Sequence, residues 1–371
     1  MQTKAIHIVS FDNPYPPNYG GVIDVFFKIK ALHQLGFKIH LHCFVAEIPN
    51  QYKELEAISE NVYFYKTSTN YLLLLSKTPF SIISRNSKKL VENILNVDAP
   101  ILFEGLKVSY LINDIRLKNH FKILRLHNIE QDYFSGISKK EKNPIFKFLF
   151  YLESKKYLKT ENVIQSFDKV ACLSIFESNY IQKKYKNASY IPVFHGNETV
   201  LPLSDFGKYV LYHGDLNSPD NQEVVRFLIQ IFKKIPNRHL KIASSCKEKW
   251  ALNLIGKSEN ISFVKLLDYN HLLDLFKDAH VNISWSFQKS GTKLKLINSL
   301  FNSRFSIINE NIIDDAIISD LCVIANNETE LTAKIEDCFS KPYLDYQKRK
   351  EIMEVYLNDV SNAQLIANLV P

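Results

Sequence analysis

The sequence predicts an α/β protein built from two doubly wound parallel-sheet domains. Three observations lead there. The chain has 371 residues, more than one ordinary core organises, and two domains of about 150 to 200 residues are the natural expectation. Short, apolar, β-rich runs alternate with helical stretches, the pattern of parallel sheets covered on both faces. The pattern runs twice. The polar stretch GNETVLPLSDFGKY, with one proline and two glycines, separates the two runs near residues 196 to 208.

In the first half, strands are expected at AIHIVSF, KIHLHCF, NVYFYKT, PILFEG, FKILRLHN, KVACLS and ASYIPVF. In the second they are expected at YVLYHG, HLKIAS, ISFVKL, HVNISWS, FSIIN and LCVIA. The segment from Tyr343 to Leu369 reads as one or two helices with no strand after them. The expected division is residues 1–200, 201–345 and a C-terminal helical segment, 346–371.

Composition narrows the class. With 46% hydrophobic and 23% charged residues, the chain reads as an ordinary globular protein. Its five cysteines are scattered and include no C-x-x-C pair, which suggests reduced thiols and a cytoplasmic setting. The N-terminus, MQTKAIHIVSF, shows no leader pattern. The longest apolar runs, NYLLLLS and FKFLFYL, are the length of core segments rather than of a spanning helix. Residues 1–200 hold 26 Lys+Arg against 18 Asp+Glu, a net of +8, and the remainder holds 20 against 21, a net of −1. A basic first half points to an anionic partner: a membrane surface, nucleic acid or a phosphorylated substrate.

Several chemistries lack their motifs. There is no G-x-G-x-x-G after either first strand, no G-x-x-x-x-G-K-[ST], no H-E-x-x-H and no G-x-S-x-G. No two aspartates stand two residues apart. The basic excess forms no recognised nucleic-acid module.

Four segments carry candidate chemistry. After the first strand comes FDNPYPPNYGGVIDVFFKIKALHQLG, a proline-stiffened loop opening onto a helix. Gly20 and Gly21 would let backbone N–H groups approach an anion, and a plain βα turn is the plainer alternative. FKILRLHNIEQDYF places His127, Asn128 and Glu130 just past a strand end, where an imidazole can bond a sugar hydroxyl or steady developing charge. YVLYHGDLNSPDNQEVVRFL puts His213 and Gly214 at the next first-strand edge, with a helix starting near Asn221. Here an Asx-type cap would explain the residues equally well.

The fourth segment, SGTKLKLINSLFNSR, is the most informative. Leu294, Ile297 and Phe301, with Leu296 and Leu300 beside them, make an apolar stripe at helical spacing. Thr292 falls at the N-cap position, and Lys293 and Lys295 fall in the first turn, where cations oppose the helix dipole. Either an anion such as a phosphate docks there, or the lysines form a solvated face.

Taken together, these segments resemble the GT-B glycosyltransferases, and more narrowly the retaining, metal-independent group called glycosyltransferase family four. PPNYGG is similar to that family's glycine-rich loop. LHNIEQDYF is similar to its HN-x-E segment, and YHGDLNSPDN to the loop that opens its second domain. SGTKLKLINSLFNSR falls where the family carries a signature of two glutamates separated by seven residues. The resemblance covers essentially the whole chain. It implies two Rossmann-like domains facing a cleft, with the C-terminal helix crossing back to pack on the first.

The resemblance also implies roles. A nucleoside-diphosphate sugar would be held mostly by the second domain, with no metal and no bound cofactor. His127, Lys293 and Lys295 would be catalytic, the cations meeting the charge of the leaving diphosphate. Gly20, Gly21, His213, Gly214, Asn221, Ser290, Gly291, Thr292 and Asn298 would bind the donor. Asn128, Glu130 and Asp24 would lie on the acceptor side. Loops near Ser244, Ser245 and 264–267 would read the base. Ser290 and Asn298 stand where the family has its two glutamates, so an inactive partner subunit or a sugar-binding protein is the alternative. An inverting enzyme would need a general base, for which Asp12 and Asp24 are the residues at hand.

The resemblance implies a glycan or lipid-linked acceptor and a role in surface-polysaccharide or glycoconjugate synthesis. Residues 138–159, SKKEKNPIFKFLFYLESKKYLK, hold seven lysines against two glutamates, interleaved with apolar residues. Two readings stand: a peripheral contact with the inner face of the plasma membrane, or a core helix whose lysine stems reach outward.

Overall fold

The computed structural model describes residues 4–288 and 294–371. Among these, seven strands form one sheet: β1 Ala5–Ser10, β2 Lys38–Val45, β3 Asn61–Lys66, β4 Ile101–Glu104, β5 Lys122–Leu126, β6 Lys169–Cys172 and β7 Ala188–Tyr190. Six form a second: β8 Tyr209–His213, β9 Leu240–Ser244, β10 Ile261–Lys265, β11 Ala279–Ser284, β12 Phe305–Ile308 and β13 Val323–Ile324. To within a residue, each strand falls on one of the runs read from the sequence. Every neighbouring pair is parallel. The orders are β3-β2-β1-β4-β5-β6-β7 and β10-β9-β8-β11-β12-β13. In each sheet the order reverses beside its first strand, between β1 and β4 and between β8 and β11.

The chain divides into two compact units: residues up to Gly196 together with Leu357–Pro371, and Asn197–Tyr356. In the first, helix α1, Gly20–Gln34, buries Val22, Val25, Ile29 and Leu32 against the sheet. It ends at Leu35, followed by Gly36 in the left-handed region. Gly196 closes this unit's main segment with φ +75°. A Cβ there would stand 2.2 Å from the Phe27 ring, so no other residue fits.

The segment 346–371 comprises two helices. Tyr346–Tyr356 belongs to the second unit, where buried Arg349 donates from Nη1 to the Ser303 carbonyl at 2.6 Å and Glu354 accepts from the Val200 N–H at 3.0 Å. Asp359–Ala367 belongs to the first, with Ala363 and Ile366 in its core. The Asp359 carboxylate accepts from the His195 and Gly196 N–H groups at 3.1 and 2.8 Å.

In the second unit, helix Pro219–Phe232 starts two residues before the asparagine at which the sequence placed it, with proline at its first position. Helix Leu294–Asn302 buries Leu296, Ile297, Leu300 and Phe301. The apolar runs 70–76 and 146–152 behave otherwise: no residue of either is buried. They sit on the surface of the first unit rather than in its core. No described helix is long and apolar enough to cross a membrane.

Buried strands of this kind rarely hold histidine, yet β1 and β2 bring His7, His40 and His42 together. A directed chain satisfies the inner two. The Val97 carbonyl can only accept, so His7 donates from Nε2 at 2.9 Å. His7 Nδ1 then accepts from His42 Nε2 at 3.0 Å, and His42 Nδ1 from the Tyr65 hydroxyl at 2.8 Å. Asn93 donates to that hydroxyl at 2.9 Å. His40 Nδ1 accepts from the Asn61 amide at 3.1 Å. Every ring in this arrangement is neutral. Burial lowers all three pKa values, that of His7 to about 4. Unfolded histidine titrates near 6.5, so the unfolded chain takes up protons that the folded chain refuses. Stability is therefore expected to fall as pH drops from about 6.5 to about 4, His7 alone contributing on the order of 3 kcal/mol. Denaturant unfolding across that range checks this, and His7→Leu should flatten the slope.

Candidate functional sites at the two sheet edges

A parallel sheet gathers the carboxyl ends of its strands on one edge, and loops flanking the reversal point leave room for a ligand. At that edge of the first unit stand the loop after β1, Glu104 at the end of β4, and His127 just past β5. The loop is tied to itself. Asp12 accepts from the Tyr19 hydroxyl at 2.7 Å and from the Asn13 N–H at 2.8 Å, and Arg85 donates to the Phe11 carbonyl at 3.1 Å. A Cβ on Gly21 would come within 2.7 Å of the Phe11 ring, so this glycine gives that ring its seat. Gly20 opens α1, whose N-cap residue, Tyr19, offers no side-chain cap and whose first turn holds no acid.

Behind the loop lies a buried network of four charges. Lys28 donates to Asp24 at 2.9 Å and to Glu104 at 2.7 Å. Arg125 donates to both Asp24 oxygens, at 2.9 and 3.2 Å, and to the Ile191 and Pro192 carbonyls. The Phe194 N–H gives Asp24 a further bond at 2.9 Å. Burial would raise both carboxyl pKa values, but Arg125 and Lys28 outweigh it at Asp24, and Lys28 and His127 outweigh it at Glu104. Both are held below their ordinary values. The sequence placed Asp24 on the acceptor side and among candidate bases. At 1% exposure with both oxygens taken, it instead holds the fold together.

His127 is the member that reaches the edge. Its side chain is 12% exposed, and Nε2 lies 3.1 Å from Glu104 Oε2. The Glu104 carboxylate can only accept, so Nε2 is the donor in this contact and Nδ1 is the ring nitrogen left for a ligand. The ring packs edge-on to Phe11 at 5.6 Å. Asn128 is half-buried beside it. Glu130 is buried, with Oε2 bonded to nothing among the described residues.

Asp24, Glu104 and His127 bring ligand atoms within 4.8 Å of one another, the spacing of a shared metal ion. Here the Lys28 ammonium and the Arg125 guanidinium already occupy the carboxylates. A divalent ion would have to displace two buried cations, so this trio is not a built metal site.

The second unit's edge is organised around Asn221. Its side chain accepts from the Tyr212 hydroxyl at 3.0 Å and donates to the Asp215 carbonyl at 2.8 Å. A Cβ on Gly214 would stand 3.2 Å from that amide. Asn221 thus staples the loop after β8. Next to it, Asp220 accepts from the Ser286 hydroxyl at 2.8 Å and the Phe287 N–H at 3.2 Å, tying the loop after β11 to the same helix.

Lys295 lies between these loops. Its ammonium donates to the Trp285 carbonyl at 3.0 Å, lies 3.5 Å from the Asn221 oxygen, and sits 5.1 Å from the centre of the Tyr212 ring. His213, at the end of β8, is buried edge-on to Phe276, and its Nδ1 has no partner among the described residues. Burial, helped by Lys295, pushes its pKa down to about 3, so it is neutral at pH 7. Asn298 is engaged elsewhere: its side-chain oxygen accepts from Asn197 at 3.0 Å, and Asn302 donates to both residues. Ser290, Gly291, Thr292 and Lys293 lie outside the described residues.

No family model matches the sequence. An uncharacterised 44.6 kDa protein in the cps region of Klebsiella pneumoniae is 26% identical over 365 residues, covering 92% of this chain and 91% of that one. Among solved structures, a variant of S. aureus TarM in complex with fondaparinux, alpha-GlcNAc-glycerol and UDP matches with TM-score 0.66. It is 13% identical, with 100% of this chain and 99% of that one covered. The UDP-forming trehalose-phosphate synthase of Burkholderia vietnamiensis matches at 0.62, with 13% identity and 99% of each chain covered. The chain has the GT-B fold. Anabaena HepE, crystallised with UDP and glucose, fits the same GT-B frame at 0.60, with 12% identity over 99% of this chain and 95% of that one.

Several members of this GT-B chain's edges were missed in the sequence. Glu104, Lys28, Arg125 and Arg85 were not singled out, although an arginine inside KILRL and a glutamate ending PILFE are signals: charge in a buried strand needs a partner. Asp24→Asn should cost about 3 to 5 kcal/mol, because it strips compensation from two buried cations. Urea unfolding of Asp24→Asn beside Asp12→Asn, whose site is partly exposed, checks that the cost belongs to the network.

Proposed function

We propose that the protein is a glycosyltransferase that moves a sugar from a nucleoside-diphosphate sugar to a hydroxyl of a glycan or lipid-linked acceptor. The observation that carries this is the placement of Lys295 at the β8/β11 reversal point, held by Trp285, Asn221 and Tyr212. Breaking the anomeric bond leaves negative charge on the diphosphate. An ammonium fixed in advance at that spot stabilises the charge without reorganising. Lys293, two residues earlier, would add a second. Neutral His213 adds no charge and leaves the edge to the lysines. On the acceptor side, His127 would offer Nδ1 to a sugar hydroxyl.

Metal independence rests on the same division of labour: lysines would do what a divalent ion does, and the two carboxylates of the first unit are already paired with Lys28 and Arg125. Retention of anomeric configuration is what the resemblance to family four implies. Two similar structures were solved with UDP, which supports a nucleotide ligand. The relative in a cps region is compatible with surface-polysaccharide or glycoconjugate synthesis.

One observation favours a second reading, a non-catalytic member. Asn298, at the position of the second signature glutamate, spends its oxygen on Asn197 rather than presenting it to a ribose. A thermal-shift panel of UDP-, GDP-, ADP- and CDP-sugars, with chelator present, separates the two. A ligand that binds only the folded state raises its melting temperature. The enzyme reading expects a rise with one nucleotide family, release of that nucleoside diphosphate on adding acceptor, and roughly a hundredfold slower release in Lys295→Met. Absence of any shift supports the second reading.

A further inference from the structure

The helix Pro144–Thr160 is built inside out. Its buried residues are Glu153, Ser154 and Tyr157, each with a polar group turned inward. Each is satisfied within the first unit. Glu153 accepts from the Phe80 N–H and from Lys156, Ser154 donates to the Gln131 carbonyl at 2.8 Å, and the Tyr157 hydroxyl pairs with Ser81. The Tyr157 ring stacks on Phe134, with Phe150 beside it, but most of the helix's apolar residues point the other way. Ile145 is 69% exposed and Phe148 59%, with Phe146, Tyr151 and Leu158 exposed as well. A helix on a globular surface normally buries its apolar stripe and wets its polar face. Here the polar face is locked inward by hydrogen bonds, so the apolar face is outward by construction.

A second element extends the patch. The 3₁₀ turn Tyr71–Leu75 is tied to this helix by Lys156, whose ammonium donates to the Leu74 carbonyl at 2.8 Å. Tyr71, Leu72 and Leu75 are all exposed, Leu75 by 86%. Lysines rim the surface, among them Lys142, Lys147, Lys155 and Lys159, all exposed. Clustered exposed apolar side chains of this kind mark an interaction surface.

We infer that this surface docks onto an anionic lipid bilayer. Two observations choose the occupant. Positions 144–148 are exposed all round the helix rather than along one stripe, a shape suited to insertion into a fluid layer that closes on every side. Lysines dominate the rim, with Glu141 the one partly exposed acid of residues 138–159, so two copies meeting through this patch would bring lysine against lysine, whereas anionic headgroups complement it. The helix lies in the interface with its phenylalanines below the headgroups and its lysines among them. This gives the chain access to an acceptor held at a membrane. It does not depend on the donor-site reading.

Co-sedimentation of the full chain with phosphatidylcholine vesicles, with and without phosphatidylglycerol, tests it. Binding is expected to phosphatidylglycerol vesicles and to weaken with salt. Phe146→Ser with Phe148→Ser should lower the partition coefficient at least about tenfold, and Lys142→Glu with Lys147→Glu should remove the preference for anionic lipid. All four side chains are exposed, so melting temperature and donor-induced shift should stay at the wild-type value. This keeps failure here distinct from failure of the proposed function. The inference is overturned if wild type does not sediment with anionic vesicles, or if the phenylalanine variant sediments as well as wild type. A wild-type dimer by light scattering that becomes monomeric in the phenylalanine variant, without vesicle binding, would assign the surface to self-association instead.

Discussion

A parallel sheet sends the carboxyl end of every strand to one edge, and the loops there part only where the strand order reverses. This constraint decides where chemistry can occur in each unit of this chain. At the β1/β4 reversal stand the loop around Asp12 and the end of β4 at Glu104, with His127 one strand further along. At the β8/β11 reversal stand His213, Gly214 and the loop through Ser286, with Lys295 between them. The two edges differ in electrostatics. The first ends in a closed, neutral network, and the second carries a lysine held by a carbonyl, an amide oxygen and a ring face. On the proposed function, the first would take an acceptor hydroxyl and the second a diphosphate.

The closed network shows what a buried charge does in a fold. Asp24, Lys28, Glu104 and Arg125 sum to zero, and each carboxylate oxygen has a donor. Ion groups of this kind contribute little net stability compared with an apolar core, but their geometry is demanding. Here that geometry fixes one face of α1 against β4 and β5, anchors the chain at 191–194, and orients the His127 ring. The histidine chain through His7, His42 and Tyr65 is a second such device. It is fully satisfied only with neutral rings.

The sheets were legible in the sequence because a strand buried on both faces is written locally, as four to eight apolar residues between turns. The division near residue 196 was legible because a polar, glycine-bearing stretch interrupts that rhythm. The candidate edges were legible as loops following strands. Their internal bonding was not, because it joins residues far apart: Asp24 with Arg125, Asn298 with Asn197. Asn298 and Asn221 looked like ligand contacts by position, yet their side chains hold the chain's own loops. Hydrophobicity alone also left FKFLFYL open between core and surface. A run of apolar residues does not say which way it faces, and here Glu153, Ser154 and Tyr157, near the helix's other end, settle it by bonding inward.

The central claim is that the edge around Lys295 is made for a diphosphate. Isothermal titration of the intact chain with a nucleoside and with its diphosphate, in the presence of chelator, tests it most directly. The account predicts that the diphosphate binds at least about a hundredfold more tightly than the nucleoside, as expected for charge-assisted contacts at a prepared site. It predicts that Lys295→Met removes most of the difference while leaving nucleoside binding in place. Equal affinities for the two, or a difference untouched by Lys295→Met, would contradict it.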